Sequence, residues 1–208
     1  MSGGNARVNY QVSLANERLR EAAELSIREN IGVTVRQSAT TVLESQLNRA
    51  ESEITNLEAT NIEGALTATV KLKAALTAHR EVLTKIESTA TDASKEQVQT
   101  TLATINKTVD ILQTKKNELT TKTAQEFAAQ PDIAKDVTLE AISVAQENIK
   151  KTASDVASTK DGELLQHAAE QVAQANAALV QAQSNLDQKN YVTAYAQIKN
   201  AASFTSNA

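Results

Sequence analysis

Apolar residues spaced alternately by three and four recur along the whole of this chain, and that spacing limits what it can fold into. The clearest run is Val98, Leu102, Ile105, Val109, Leu112, Lys116 and Leu119, broken only by the lysine. Residues at these intervals share one face of an α-helix, whereas a strand would alternate every second residue. The same spacing appears in Val12, Ala15, Leu19 and Ala22, in Leu43, Leu47, Ala50, Ile54 and Leu57, and in Leu72, Leu76, His79, Leu83 and Ile86. It returns in Ile142, Ala145, Ile149 and Val156, and in Leu165, Ala168, Val172, Ala175, Leu179, Ala182 and Leu186. A last segment places Tyr191, Ala194, Tyr195, Ile198 and Ala202 on one side.

Helix boundaries are set by residues that stop or start the helical hydrogen-bond ladder. Gly32 supplies a left-handed stop after the first helix, and Asn61 is an N-cap for the third. Ser94 followed by Gln97 has the form of a capping box opening the fourth. Pro131 forbids normal continuation of that helix, as a kink or a turn, and Asp132 can cap the fifth helix beyond it. Lys160, Asp161 and Gly162 precede the sixth helix, and Asp187 to Asn190 precede the last. The expected fold is all-α, an elongated bundle of about six or seven amphipathic helices with coiled-coil-like packing and a C-terminal helical hairpin. Residues 1–5 read as an expression leader or a disordered start, and residues 6–208 as a single helical-bundle domain with a possible break near Pro131.

Composition narrows the function classes. The chain has no Cys, which excludes disulfides, thiolate catalysis and Cys-based zinc sites. A net charge of -4, with both signs interspersed, offers no basic patch for nucleic acid or anionic lipid. No apolar run reaches the roughly 18 residues that span a bilayer. Only 2% of the residues are aromatic, so the core must be aliphatic.

Two histidines are the only imidazoles. His79 lies on an apolar stripe between Leu76 and Leu83 and reads as a hydrogen-bonded packing residue before it reads as a ligand or switch. His167, among Gln166, Glu170 and Gln171, reads as a surface or boundary residue. The carboxylate pairs Glu21 with Glu24 and Glu51 with Glu53 fall at solvent-side positions near Arg20, Arg28 and Arg49, where solvated charge is the expectation. Acid–base work would require a cleft that separates their pKa values. Lys116, in its apolar stripe, is expected to snorkel. Thr100, Thr101, Thr120, Thr121 and Thr123 are expected to be exposed. Asn106, Lys107 and Thr108 match a glycosylation sequon by chance in mid-helix. No catalytic, cofactor-binding or metal-binding residue is assigned, and no cofactor is expected.

The segment YQVSLANERLREAAELS, Tyr10 to Ser26, followed by a helix ending in LNRAESEI, resembles uncharacterised exported bacterial domains with an "ERL-EA" first helix in a multi-helix bundle. The likeness covers about Val8 to Ile54, with NYVTAYAQIKNA resembling the closing segment of that family. The upstream Pro-Asp-Ser and aromatic segment usual there is absent. The resemblance implies an extracytoplasmic helical domain, periplasmic or at the cell surface, and transfers no functional residues. With the surface richness in Thr, Gln, Asn and Ala, it leads to the expectation of a non-enzymatic structural or interaction module, a spacer or protein-binding bundle whose partner is another protein or a cell-surface component. The alternatives are a filament or secretion-apparatus subunit, and a sensor holding a small ligand near His79 or Tyr195.

Overall fold

The structure, a computed structural model, describes residues 3–27, 33–89, 92–157 and 162–207. Seven α-helices make up this part of the chain, and among the described residues there is no strand. They are α1 (Gly3–Ile27), α2 (Val33–Glu58), α3 (Ile62–Thr89), α4 (Asp92–Ala129), α5 (Pro131–Ala157), α6 (Gly162–Asp187) and α7 (Tyr191–Asn207). The helix stop expected at Gly32 and the turn expected at Lys160 and Asp161 lie outside the described residues. By its contacts the chain divides into two compact units, Met1–Asn117 and Glu118–Ala208, with the division inside α4 and not at Pro131.

In the first unit α1 packs on α2 and α3, and α2 packs on α3. The stripes read from the sequence form its core: Leu19, Leu43, Leu47, Ile54, Leu72, Leu76, Leu83, Val98, Ile105 and Leu112 are all less than 2% exposed. Truncating one of these leucines to Ala would cost about 2–5 kcal/mol through lost transfer energy and the cavity left behind. The N-terminal part of α4 lies along α2, where Thr104 Oγ1 donates to Glu44 Oε1 at 3.0 Å and the Lys115 ammonium donates to the Glu58 carboxylate. It also meets α3, where Gln99 Nε2 donates to Glu87 Oε1 at 2.8 Å.

The α2–α3 corner is built as the sequence implies. Asn61 Oδ1 accepts from the Gly64 amide at 2.8 Å, satisfying a donor that the first turn of α3 leaves unpaired. Asn61 Nδ2 donates to Asn5 Oδ1 of α1 at 3.3 Å. A Cβ on Gly64 would stand 2.6 Å from that same Asn5 oxygen and 2.8 Å from Asn61 Nδ2, so any other residue there would displace these two side chains.

The start of α4 departs from the capping-box expectation. The helix begins at Asp92, which places Ser94 and Gln97 inside it, both buried. The Gln97 side chain reaches a neighbouring helix. Its Nε2 crosses to Thr40 Oγ1 of α2 at 2.6 Å, Thr40 and Thr101 hydroxyls lie 3.3 Å apart, and Thr101 Oγ1 donates to the Gln97 carbonyl at 3.1 Å. The three side chains thus tie α2 to the first turns of α4. A neighbouring helix outcompetes the local cap because a buried hydroxyl without a partner is costly.

In the second unit α6 and α7 form a hairpin, and α5 packs on both. Ile142, Ala145, Ile149, Ala175, Ala178, Leu179, Ala182, Ile198 and Ala201 make a core in which alanine alternates with larger residues. The end of α4 contributes Leu119 and Phe127, and the Phe127 ring meets Tyr195 edge-on with centroids 5.3 Å apart. Pro131 is the first residue of α5, where its missing N–H would have had no helical partner anyway. The residue before it, Gln130, accepts from the Ala134 amide at 3.0 Å, so Gln130 and not Asp132 occupies the cap position. The α6–α7 turn is a full Schellman closure. The Asn190 amide donates to Asn185 O at 2.8 Å and the Lys189 amide to Leu186 O at 2.9 Å, with Lys189 in the left-handed region at φ 59°.

Candidate functional site

His79 is partly buried on α3 and turns toward α1, where its Nε2 donates to Asn16 Oδ1 at 3.0 Å. Burial, with the Arg20 charge as a smaller contribution, holds its pKa below the ordinary histidine value. The ring is therefore kept neutral, with a neutral amide as its partner. Among the described residues no carboxylate orients it, the arrangement a general base or a metal ligand would use. The side chain of His167 lies outside the described residues.

The acidic pairs separate into different environments. Glu21 bonds to Arg18, and Glu24 is 3.7 Å from Arg20, both on the exposed surface of α1. Glu53 stands 4.0 Å from Arg7. Glu51 differs from the expectation of solvated charge, because it is half-buried. Burial pushes its carboxyl above the usual carboxylate range, with Lys107 of α4 pulling the other way. The sequence could not signal this, since Glu51 lies beside the apolar stripe and its exposure depends on how closely α4 approaches.

Lysines also sit in unexpected places. Lys73 of α3 has its pKa lowered by burial first and then by the charges of Lys116 and Arg80, and Lys116 itself is partly buried on its stripe. In the second unit Lys199 is only 9% exposed, and its ammonium lies 4.4 Å from the centre of the Tyr195 ring, a cation–π contact. Of the threonines expected at the surface, Thr101 and Thr123 are buried. Leu165, placed on the stripe of α6, is 37% exposed, and Ala201 is buried where Ala202 was expected.

Depressions occur among the described residues, and two of them each lie within one unit. One, of about 530 Å³, runs between α1 and α2 and is lined by Gln11, Thr41, Ser45, Asn48 and Arg49 with Glu44, Ser52 and Glu53. Its volume is in the range of small-ligand sites, but it is open to solvent and polar or charged residues line it. The other, of about 450 Å³, lies where the Pro131 and Lys189 corners meet, beside Phe127, Tyr191 and Val192. It too is an open corner. Among the described residues no group of three His, Asp or Glu side chains could hold a metal ion, and no helix is long and apolar enough to cross a membrane.

The outer faces of the second unit are more distinctive. On α6, Ala168, Ala175, Ala178, Leu179 and Ala182 point inward. The solvent side carries Ala169, Ala173, Ala177, Val180 and Ser184, all exposed, with Val180 at 64%. From Gln171 to Leu186 the chain has no Asp, Glu, Lys or Arg, although 22% of all residues are charged. On α5, Ile133 and Val144 are 54% and 52% exposed. No family model, curated protein or solved structure matches this chain.

Proposed function

We propose that the chain is a non-enzymatic interaction module, a helical bundle that engages another protein through the outer faces of its second unit. The observation that carries this reading is the outer side of α6 between Glu170 and Asp187, which carries no charge over about four turns. A helix whose outer side only meets water ordinarily carries charge at about a quarter to a third of its surface positions. The cores of protein interfaces are depleted in charge instead. On α6 the exposed alanines and Val180 recur at steps of four and three, so they form one continuous strip and not scattered apolar residues of the kind every surface has.

The surface richness in Thr, Gln, Asn and Ala and the resemblance of Tyr10 to Ser26 to exported bacterial domains support an extracytoplasmic setting for such a module. The test is site-specific photo-crosslinking in the cells that make the protein. A photoreactive residue in place of Val180 should give an adduct of defined mass, and one in place of the exposed Glu17 on α1 should not. No adduct at Val180, or the same adducts at both positions, would remove the reading.

A further inference from the structure

The exposed side of α5 has a different character from that of α6. The inward stripe of α5 is Ala134, Thr138, Ile142, Ala145 and Ile149, all buried. Around the helix from it, Ile133, Val137 and Val144 fall in one line at steps of four and seven, two exposed and the middle one half-buried. Alongside runs a second line, Asp136, Glu140 and Glu147, at the same steps and exposed throughout. Lys151 is four residues beyond Glu147 yet makes no ion pair with it, and none of the three carboxylates has a hydrogen-bond or ion-pair partner among the described residues. Residues 118–208 contain eleven Asp and Glu against seven Lys and no Arg, so the unit as a whole carries the net charge of -4.

We propose that this face of α5 docks an amphipathic helix of a partner protein whose apolar stripe is bordered by basic residues. The inference rests on reading the chain as an interaction module and assigns one of its surfaces. Helical spacing of the apolar line favours a helix as the occupant, because a helix laid alongside α5 can cover both lines over about 16 Å, three turns. The acidic line sets the sign of the partner. A second copy presenting the same face would set carboxylate against carboxylate, which disfavours self-association here. Anionic lipid and nucleic acid are repelled for the same reason. Charge complementarity would speed the encounter and fix orientation, and the Ile133–Val144 line would supply the part that salt does not screen.

The experiment uses the full chain, isotopically labelled, titrated with two synthetic peptides of roughly five helical turns. One carries Leu on a single face with Lys along its border, and the other has the same composition in scrambled order without an apolar face. The amphipathic peptide should perturb amide resonances along the outer face of α5 and bind at least about tenfold more tightly than the scrambled one, a difference of 1.4 kcal/mol. The variant Ile133→Ser/Val144→Ser retains every charge, and Asp136→Asn/Glu140→Gln/Glu147→Gln retains every apolar contact. All five residues are exposed, so both variants should keep the circular dichroism of the parent. Each should weaken binding at least tenfold. Unaltered binding by the Ile133/Val144 variant would show mere attraction of a polycation and overturn the proposal, as would perturbations centred outside α5 or no binding. An adduct at Val180 in any of those cases leaves the interaction module standing while the α5 assignment fails.

Discussion

Replacing Lys189 with glycine should make the second unit more stable, although the substitution removes a whole side chain. Lys189 closes α6 in the left-handed conformation, with φ 59°, and both hydrogen bonds of the Schellman closure depend on that conformation. An L-residue there brings Cβ close to the following carbonyl, at a cost of about 1–2 kcal/mol. Glycine has no Cβ, but its greater freedom in the unfolded chain returns about 0.5–1 kcal/mol of that gain. The difference is a stabilisation of about 0.5–1 kcal/mol, which for a domain of this size raises the unfolding midpoint by roughly 2–8 °C. Urea unfolding followed by circular dichroism measures it. Lys189→Ala is the control, since it keeps Cβ and should leave stability within about 0.5 kcal/mol of the parent. An equal gain from both variants would trace the effect to the lysine side chain and refute the backbone argument. A loss on Lys189→Gly would mean that the side chain contributes to the corner beside Tyr191 more than its backbone strain costs.

The buried cluster between α2 and α4 should behave as a unit. Thr40→Val and Gln97→Leu should each cost about 1–3 kcal/mol by orphaning a buried group, and the double variant should cost less than their sum, which a double-mutant cycle in urea would measure. Additive losses would mean that Gln97 and Thr40 do not depend on each other. His79→Leu should be close to neutral at pH 8, because Asn16 is exposed and water can replace the ring as its partner. Because folding lowers the His79 pKa, its contribution is complete above the unfolded value of about 6.5 and is lost as pH falls through the folded value. The wild type should therefore lose more stability than His79→Leu between pH 8 and pH 5, and parallel losses in paired urea titrations would contradict the burial of the ring.

The apolar stripes were legible because helical periodicity is local. Leu43, Leu47, Ala50, Ile54 and Leu57 are all buried, and so are Val98, Leu102, Ile105, Val109, Leu112 and Leu119. The cap at Asn61 was legible for the same reason, since its partner Gly64 is three residues away. What failed was everything decided by a neighbouring helix. Ser94 and Gln97 have the spacing of a capping box, yet Gln97 bonds to a threonine far away in sequence. Thr101, Thr123 and Glu51 flank their stripes, and the flank of a stripe is exposed or covered according to how closely the next helix approaches. Leu165 fits the stripe of α6 but lies in its first turn, ahead of Ala168, and is left partly in water.

The surfaces proposed to bind were present in the sequence all along and could not be read there. That no charge occurs from Gln171 to Leu186 is visible by inspection, but a charge-free helix is also what a fully buried helix would look like. Only when Ala175, Leu179 and Ala182 are seen to face inward does the absence of charge on the other side become unusual, because that side meets water. The acidic line of α5 has the same logic. Asp136, Glu140 and Glu147 in isolation are an ordinary solvated face. Their meaning comes from Ile133 and Val144 beside them, apolar residues that the fold has left outside its core and that a partner helix of opposite charge could cover.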